Sequence, residues 1–202
     1  MLGPQRVCDV VLAGGLLIFF APLLLLALLL TFLQDGGSPM FSQLRVGRGG
    51  RRFRCWKIRS MVVDADARLA ALLKEDAHAR LEWARDHKLT NDPRITPLGR
   101  FLRQSSVDEL PQLLNVILGD MSVVGPRPIV DAEICKYGRY FPAYCSVRPG
   151  LTGLWQVSGR NDVSYRRRVA LDVSYARQHT LPLDMYILVA TIPAVFLRRG
   201  AR

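Results

Sequence analysis

The sequence lacks the residue groupings on which most metal and nucleic-acid sites depend. Its four cysteines show no Cys-x-x-Cys spacing, and its three histidines lie in polar, charged stretches that are typical of solvated surface. We therefore expect the cysteines to be reduced and structural. No nucleic-acid-binding motif or stripe of aromatic residues accompanies the net charge of +11, so a nucleic-acid partner is not expected.

Charge is also absent from one long stretch, residues 10–33, which is apolar over 24 positions. That length matches the hydrocarbon core of a bilayer and exceeds the apolar part of a cleaved signal peptide. Pro22 lies near its centre and removes a backbone hydrogen bond, so both a kinked span and a re-entrant hairpin fit. We expect residues 1–36 to form a membrane anchor and residues 37–202 to form one domain.

Basic residues are concentrated directly after this stretch. Only Arg6 precedes it, whereas seven arginines and lysines lie between residues 45 and 59. Basic residues beside a membrane segment remain in the cytoplasm and attract anionic headgroups. The domain is therefore predicted to be cytoplasmic and to lie at the membrane surface.

The patterns of apolar and turn residues predict an α+β fold that is mostly helical, with a small β-hairpin. The last apolar stretch, residues 183–197, is too short to span a membrane and is predicted to form an amphipathic interfacial helix, with a plain core helix as the alternative. The other predicted elements are a hairpin over residues 43–61, helices over 64–87, 97–103 and 110–118, a short strand at 122–124, helical stretches over 131–144 and 164–179, and a loop over 148–160.

Two adjacent carboxylates, Asp108 and Glu109, lie where one of these helices should begin. Ser106 and Glu109 have the spacing of a capping box, but Pro111 would then fall where the helix needs an amide. If Asp108 caps the helix instead, the proline falls at the third helical position, where the missing amide costs nothing. Asp108 would then lie at the positive end of the helix dipole, where an anion can also bind. The spacing alone leaves a structural cap and a reaction centre equally open.

Arginines flank this pair on both sides. Arg100 and Arg103 share one face of the preceding helix, and Arg127 is held between two prolines downstream. A carboxylate among arginines on rigid elements is typical of phosphoryl transfer, in which an ionised Asp can attack phosphorus. Contact between the basic helix face and phospholipid is the alternative.

Three motifs in this order make the chain similar to the bacterial sugar transferase family, the monotopic phosphoglycosyl transferases: KIRSM (57–61), TPLGRFLRQSSVDELPQLLNVILGDMSVVGPRP (96–128) and RPGLTGLWQVSGR (148–160). The likeness runs from about Arg6 to the C-terminus. It implies transfer of a sugar-1-phosphate from a UDP-sugar to undecaprenyl phosphate at the cytoplasmic face of the bacterial inner membrane, with release of UMP. This reaction initiates exopolysaccharide, O-antigen or glycan assembly. The C-terminal part resembles members that use UDP-glucose or UDP-galactose.

The resemblance also implies a cofactor, further partners and residue roles. Mg²⁺ is the expected cofactor, anionic lipids of the inner membrane are further partners, and a homodimer is compatible with the family. Asp108 would form a phosphosugar-aspartyl intermediate and contact Mg²⁺, while Glu109 would position groups or take a proton. Phosphate-binding positions are matched by Lys57, Arg103 and Arg127, and nucleotide-sugar-binding positions by Arg59, Arg148, Thr152, Gln156 and Arg160.

Pro22 would bend a re-entrant helix-break-helix. The family often has a serine before this proline, whereas this chain has Ala21, which cannot hydrogen-bond a carbonyl freed by the proline. A basic membrane-surface binding module without catalysis is the alternative function. Such a module has no need for Asp108 and Glu109 between Arg103 and Arg127.

Overall fold

The computed structural model describes residues 3–86, 89–159 and 163–196, and it is mostly helical with small β-sheets, as predicted. The α-helices are α1 (Pro4–Asp35), α2 (Ala65–Glu75), α3 (Ala77–Asp86), α4 (Pro97–Ser105), α5 (Gln112–Leu118), α6 (Ile134–Tyr137), α7 (Phe141–Ser146), α8 (Leu154–Val157), α9 (Tyr165–Gln178) and α10 (Leu181–Phe196). Short 3₁₀ turns cover Arg48–Gly50, Val107–Glu109, Asp131–Glu133 and Gly138–Tyr140.

The predicted hairpin is confirmed. Strands β1 (Met40–Val46) and β2 (Arg52–Ile58) pair antiparallel from Met40↔Ile58 to Val46↔Arg52. Gly49 and Gly50 adopt positive φ values of 67° and 74° in the connecting turn, a conformation that glycine reaches without a Cβ penalty.

A second, smaller sheet lies next to the Gly-Pro-Arg-Pro turn. Strand β3 (Ser122–Val124), which the sequence predicted, pairs in parallel with β4 (Gly150–Thr152). The loop predicted over residues 148–160 therefore contains a strand and the short helix α8. Parallel neighbours need a crossover, and α6 and α7 provide it.

Two predicted helices are interrupted. The helix expected over residues 64–87 is divided at Asp76, which has extended backbone angles and whose carboxylate accepts hydrogen bonds from the amides of His78 and Ala79. The side chain thus caps the start of α3. The stretch 131–144 is likewise broken at Gly138, whose φ of 50° and ψ of −128° are not helical.

Neither predicted cap of α5 is present. Ser106 has a left-handed φ of 58° and makes no capping hydrogen bond, so the Ser-x-x-Glu capping box is wrong. Asp108 lies in the 3₁₀ turn Val107–Glu109, and α5 begins only at Gln112, after Pro111. Pro111 thus occupies the position just before the helix, and the Asp108 side chain is left without a capping role.

Helix α1 packs along the domain and also exposes a broad apolar surface. It is long and apolar enough to cross a membrane by length and composition, and only 11% of its most apolar stretch is buried. Ala13 and Ala27 are the buried positions that join cores formed by the rest of the chain. The helix continues through Pro22 without interruption.

The buried apolar side chains form clusters that connect the hairpin, α1 and the central helices. The largest cluster places Cys55 of β2 and Val116 of α5 against β3 and α10, where Ile187 is fully buried. The opposite face of α10 is apolar and exposed, so this helix contributes to the core on one side and presents Met185, Val189 and other side chains on the other.

Candidate active site

The hairpin brings Lys57 to the carboxylate pair. The Lys57 ammonium donates a hydrogen bond to Glu109 Oε1 at 2.7 Å and lies 3.8 Å from Asp108 Oδ2. Lys57 is near the end of β2, whereas both carboxylates are on the turn before α5. Two elements about 50 residues apart in the sequence thus meet at one cation.

Asn115 fixes how these two elements meet. This fully buried side chain on α5 accepts a hydrogen bond from the Trp56 amide at 3.1 Å and donates one to the Arg54 carbonyl at 2.8 Å. Its amide therefore pairs with the free edge of β2 in the way that a neighbouring strand would. The position of Lys57 relative to the turn follows from this pairing.

The two carboxyls have opposite electrostatic environments. Burial raises the pKa of Asp108 to about 6, and the Glu109 charge adds to this effect, while Lys57, Arg103 and Arg127 oppose it. Burial acts in the same direction on Glu109, but Lys57, Arg127 and Arg45 outweigh it and hold the pKa of Glu109 at about 2. Glu109 is thus a fixed anion, and Asp108 is ionised at neutral pH but poorly solvated.

The Gly-Pro-Arg-Pro turn holds Arg127 beside the pair. The Arg127 guanidinium lies 3.9 Å from Glu109 Oε1. Two carbonyls of the turn accept hydrogen bonds: that of Pro126 from the Gly150 amide and that of Pro128 from Arg45. The turn is therefore fastened to both β4 and β1.

Arg103 of α4 contacts the segment that directly follows β2. Its Nε donates a hydrogen bond to Ser60 Oγ at 2.8 Å, and its charge acts on Asp108. Helix α4 can approach this segment because Gly99 has no side chain; a Cβ there would overlap the Ser60 carbonyl. The KIRSM segment thus supplies Lys57 directly and orients Arg103 through Ser60.

One charged residue of this site was not expected from the sequence. Arg45 of β1 lies in the basic run that the sequence assigns to the membrane surface, yet its side chain is only 15% exposed and lines a cleft with Lys57, Glu109 and Arg127. The alternation of β1 in a correctly registered hairpin could have indicated it. The other residues that line this cleft are Cys55, Gln112, Pro128, Gly150, Leu151 and Gln156.

The residues expected to bind the nucleotide sugar are spread over several locations. Gln156 lines the cleft, and Arg160 lies outside the described residues. Arg59 donates hydrogen bonds to Asp35 and to the Thr31 carbonyl near the end of α1, and Arg148 donates one to the Gly119 carbonyl. Thr152 is buried and pairs with Thr191. The structure brings Gln156 together with Lys57 and Arg127 in the cleft. Arg103 does not line the cleft, and neither do Arg59, Arg148 and Thr152.

The donor set suits a metal ion that arrives with phosphate groups. The described parts of the chain contain no group of three or more His, Cys, Asp or Glu residues that could hold a metal ion. Asp108 has a carboxylate without a hydrogen bond from a described residue, and its nearest cation is 3.8 Å away. Mg²⁺ commonly binds through one or two carboxylates and completes its shell with substrate phosphates and water, so these residues fit it.

Comparisons with known proteins point to one family. The sequence profile of the family described as "Bacterial sugar transferase" matches residues 3–198. The chain is 48% identical over 197 residues to the UDP-galactose-lipid carrier transferase of Erwinia amylovora, covering 98% of this chain and 41% of the relative. It is also 48% identical over 197 residues to the exopolysaccharide production protein ExoY of Rhizobium meliloti, covering 98% and 87%.

A third relative is named for glucose. The chain is 40% identical over 205 residues to the UDP-glucose:undecaprenyl-phosphate glucose-1-phosphate transferase of Caulobacter vibrioides, covering 98% of this chain and 71% of the relative. The chain thus spans less than half of the Erwinia relative and most of the other two. With a family match over nearly its whole length, the chain belongs to the bacterial sugar transferase family.

Proposed function

We propose that this protein transfers a hexose-1-phosphate from UDP-glucose or UDP-galactose to undecaprenyl phosphate and releases UMP. The observation that carries the proposal is the buried Asp108 carboxylate, which lies among Lys57, Arg103 and Arg127 and accepts no hydrogen bond from the described residues. The substrate classes rest on the names of relatives, which specify galactose, glucose and undecaprenyl phosphate. Exopolysaccharide production is the process named for ExoY.

The first half of the reaction uses Asp108 as a nucleophile. One carboxylate oxygen forms a bond to the phosphorus that bears the sugar, the bond from that phosphorus to the bridging oxygen breaks, and the electron pair leaves with UMP. In the second half, an oxygen of undecaprenyl phosphate attacks the same phosphorus and returns Asp108 to its carboxylate form. Asp108 must be ionised and free of hydrogen bonds for this role, and its pKa of about 6 and its lack of a hydrogen bond from the described residues support it.

The neighbouring cations counter the repulsion between anions. Lys57 is already bound to Glu109, so Glu109 holds the ammonium where a phosphate oxygen can receive a further hydrogen bond. Arg127 and Arg103 would donate to oxygens of the attacked phosphate. Mg²⁺ would be held by Asp108 together with diphosphate oxygens, and when bound it would neutralise part of their charge. Loss of transfer after chelation, and recovery with Mg²⁺, is the measurement for this ion.

Membrane attachment follows from the surface of α1. Its most exposed side chains, Ile18 at 78% and Phe19 at 74%, lie close to Pro22. We infer that α1 enters the bilayer from the cytoplasmic side of the inner membrane, bends at Pro22 and leaves on the same side. The apolar faces of α10 and of α4, where Phe101 is 57% exposed, would rest in the interface.

The covalent intermediate provides the decisive experiment. Purified protein is mixed with UDP-sugar labelled in the phosphate next to the sugar, without a lipid acceptor, and protein-bound label is counted after denaturation. Wild-type protein should retain label from UDP-glucose or UDP-galactose, and Asp108→Asn should retain none, because the amide has the same shape but is no nucleophile. Asp131→Asn, which alters an exposed carboxylate outside the cleft, should be labelled normally. Label in Asp108→Asn would exclude the covalent role of Asp108.

A further inference from the structure

The cleft beside Glu109 contains more positive than negative charge. Its lining includes the cations Arg45, Lys57 and Arg127, whereas Glu109 is the carboxylate that lines it. Lys57 and Arg127 both lie within 4 Å of Glu109. Arg45 is the third cation of the lining, and its nearest carboxylate, Glu133, lies outside that lining.

Arg45 has little compensation from the protein itself. Its guanidinium donates to two neutral acceptors, the Pro128 carbonyl at 3.0 Å and Gln43 Oε1 at 2.7 Å. The nearest carboxylate, Glu133, is 3.9 Å away and is shared with Arg168 at 3.6 Å. Burial lowers the pKa of Arg45, and the nearby Arg127 charge adds to this effect, while Glu133 opposes it. A buried, oriented guanidinium whose nearest carboxylate is 3.9 Å away and shared with another arginine is suited to bind a further anion.

The position of Arg45 sets its distance from the reaction centre. Arg45 pairs with Phe53, which lies four residues before Lys57 on β2, so the two cations are about 13 Å apart along the hairpin at the backbone. Their long side chains converge on one cleft, with Cys55 in its lining. A ligand that extends from the carboxylate pair along this face would meet Arg45 next.

An unpaired acceptor lies in the same cleft. Gln156 lines it, and the side-chain nitrogen of Gln156 donates to the Leu151 carbonyl. Its Oε1 is buried and has no hydrogen-bond partner among the residues described. Buried polar atoms are normally paired, so this oxygen retains an unsatisfied hydrogen-bonding capacity beside the cleft. Arg45 and Gln156 together offer a cation and an acceptor to one ligand.

We propose that Arg45 binds the phosphate of the departing nucleoside monophosphate, while Lys57 and Arg127 act on the phosphate that Asp108 attacks. This inference rests on the proposed function. The donor carries two phosphates in one molecule, which fits a second cation further along one cleft. As the bridging bond breaks, the departing phosphate gains a negative charge, and Arg45 is placed to stabilise that charge. Gln156 Oε1 would accept a hydrogen bond from a hydroxyl of the same substrate.

Separate assays of the two half-reactions distinguish a role of Arg45 toward the nucleotide phosphate from a role toward the lipid phosphate. In the nucleotide arm, protein labelling from UDP-sugar is measured against substrate concentration and against added UMP. In the lipid arm, pre-formed labelled protein is mixed with undecaprenyl phosphate and the loss of label is timed. Arg45→Gln should weaken inhibition by UMP at least tenfold and slow labelling, while the lipid arm stays within twofold of wild type. Arg45→Lys should lie between Arg45→Gln and wild type.

Arg52→Gln is the matched control, because Arg52 lies on the same hairpin but is exposed and pairs with Asp131 outside the cleft. It should behave as wild type in both arms. Unchanged UMP inhibition in Arg45→Gln, or a defect in the lipid arm alone or in both arms equally, would overturn the assignment to the departing nucleotide. Absence of labelling in wild-type protein would instead remove the proposed function, so the two failures are distinguishable.

Discussion

At the scale of single residues, the central feature is a pair of adjacent carboxyls with different solvation. The charge of Glu109 is compensated by Lys57 and Arg127. Asp108 is buried, and Lys57 lies further from it, at 3.8 Å, than from Glu109, at 2.7 Å. Environments that separate the pKa values of neighbouring acids also assign their roles. Asp108 has the higher pKa, so its carboxylate is the more basic of the two, which suits a nucleophile. Glu109 positions the cations.

The rate of phosphosugar formation should therefore depend on the protonation of Asp108. With a pKa of about 6, the carboxylate is ionised above pH 7 and is lost as the pH falls below 6. We expect single-turnover labelling from UDP-sugar to be flat above pH 7 and to fall about tenfold per pH unit below 6. The full reaction is a poorer probe, because a monoester phosphate such as that of the lipid titrates near pH 6 itself. A flat profile down to pH 4.5 would contradict the shifted pKa.

The same shift has a consequence for stability. A carboxyl whose pKa is raised from 3.8 to about 6 on folding stabilises the fold below pH 3.8, and this contribution is lost as the pH rises through 6. Asp108→Asn should therefore raise the melting temperature in detergent above pH 7, by the equivalent of at most about 3 kcal/mol. The gain should shrink as the pH approaches 4. An Asn variant that melts below wild type at pH 7.5 would contradict this account.

At the scale of elements, the Gly-Pro-Arg-Pro turn and the RPGLTG segment form one interlocked unit. A Cβ on Gly125 would overlap the Arg148 carbonyl, and one on Gly153 would overlap the Gly125 carbonyl. A Cβ on Gly150 would overlap the backbone of Gly125 and Val124. The absence of side chains lets β3 and β4 approach, and this approach positions Arg127.

Gly150→Ala should consequently separate the two strands and displace the turn. The methyl group meets backbone rather than a flexible side chain, so the strands must move. We expect at least a hundredfold loss of transfer and a lower melting temperature. Gly14→Ala is the matched substitution, because nothing lies within 4 Å of a Cβ at that helical position, and it should retain activity. Normal transfer by Gly150→Ala would show that the close approach is not needed.

Local patterns predicted several of these elements, and long-range contacts account for the differences. The Gly-Gly turn, the Pro97 helix start and the strand before Gly125 were predicted because each depends on nearby residues. The start of α5 was not predicted correctly. Asp108 does not cap this helix; it is buried beside Lys57 of β2 and near Arg127 of the turn. The roles of Asn115 and Arg45 depend on how the hairpin packs against the rest of the domain, and residue spacing in the sequence does not predict that packing.

At the scale of the whole molecule, both ends of α1 are fastened to the same domain. Arg6 donates to the Val116 and Ile117 carbonyls at the end of α5, and Asp9 accepts from Ser122 and the Val123 amide. At the other end of the helix, Asp35 pairs with Arg59 at 2.5 Å. A helix of 32 residues is about 48 Å long, so a bitopic arrangement would place one set of these contacts across the membrane.

Both ends of α1 should consequently be accessible from the cytoplasm alone. In a variant without the native cysteines, Gly3→Cys and Ser38→Cys should each react with an impermeant thiol reagent in inside-out vesicles and not in intact spheroplasts. Pro22→Leu restores a backbone hydrogen bond at the centre of the helix and should shift some molecules to a straight, membrane-crossing state. In those molecules the cysteine at position 3 becomes reactive from outside, and transfer falls because the Arg6 and Asp9 contacts are lost. Labelling of Gly3→Cys from outside in the protein that retains Pro22 would establish a bitopic helix instead.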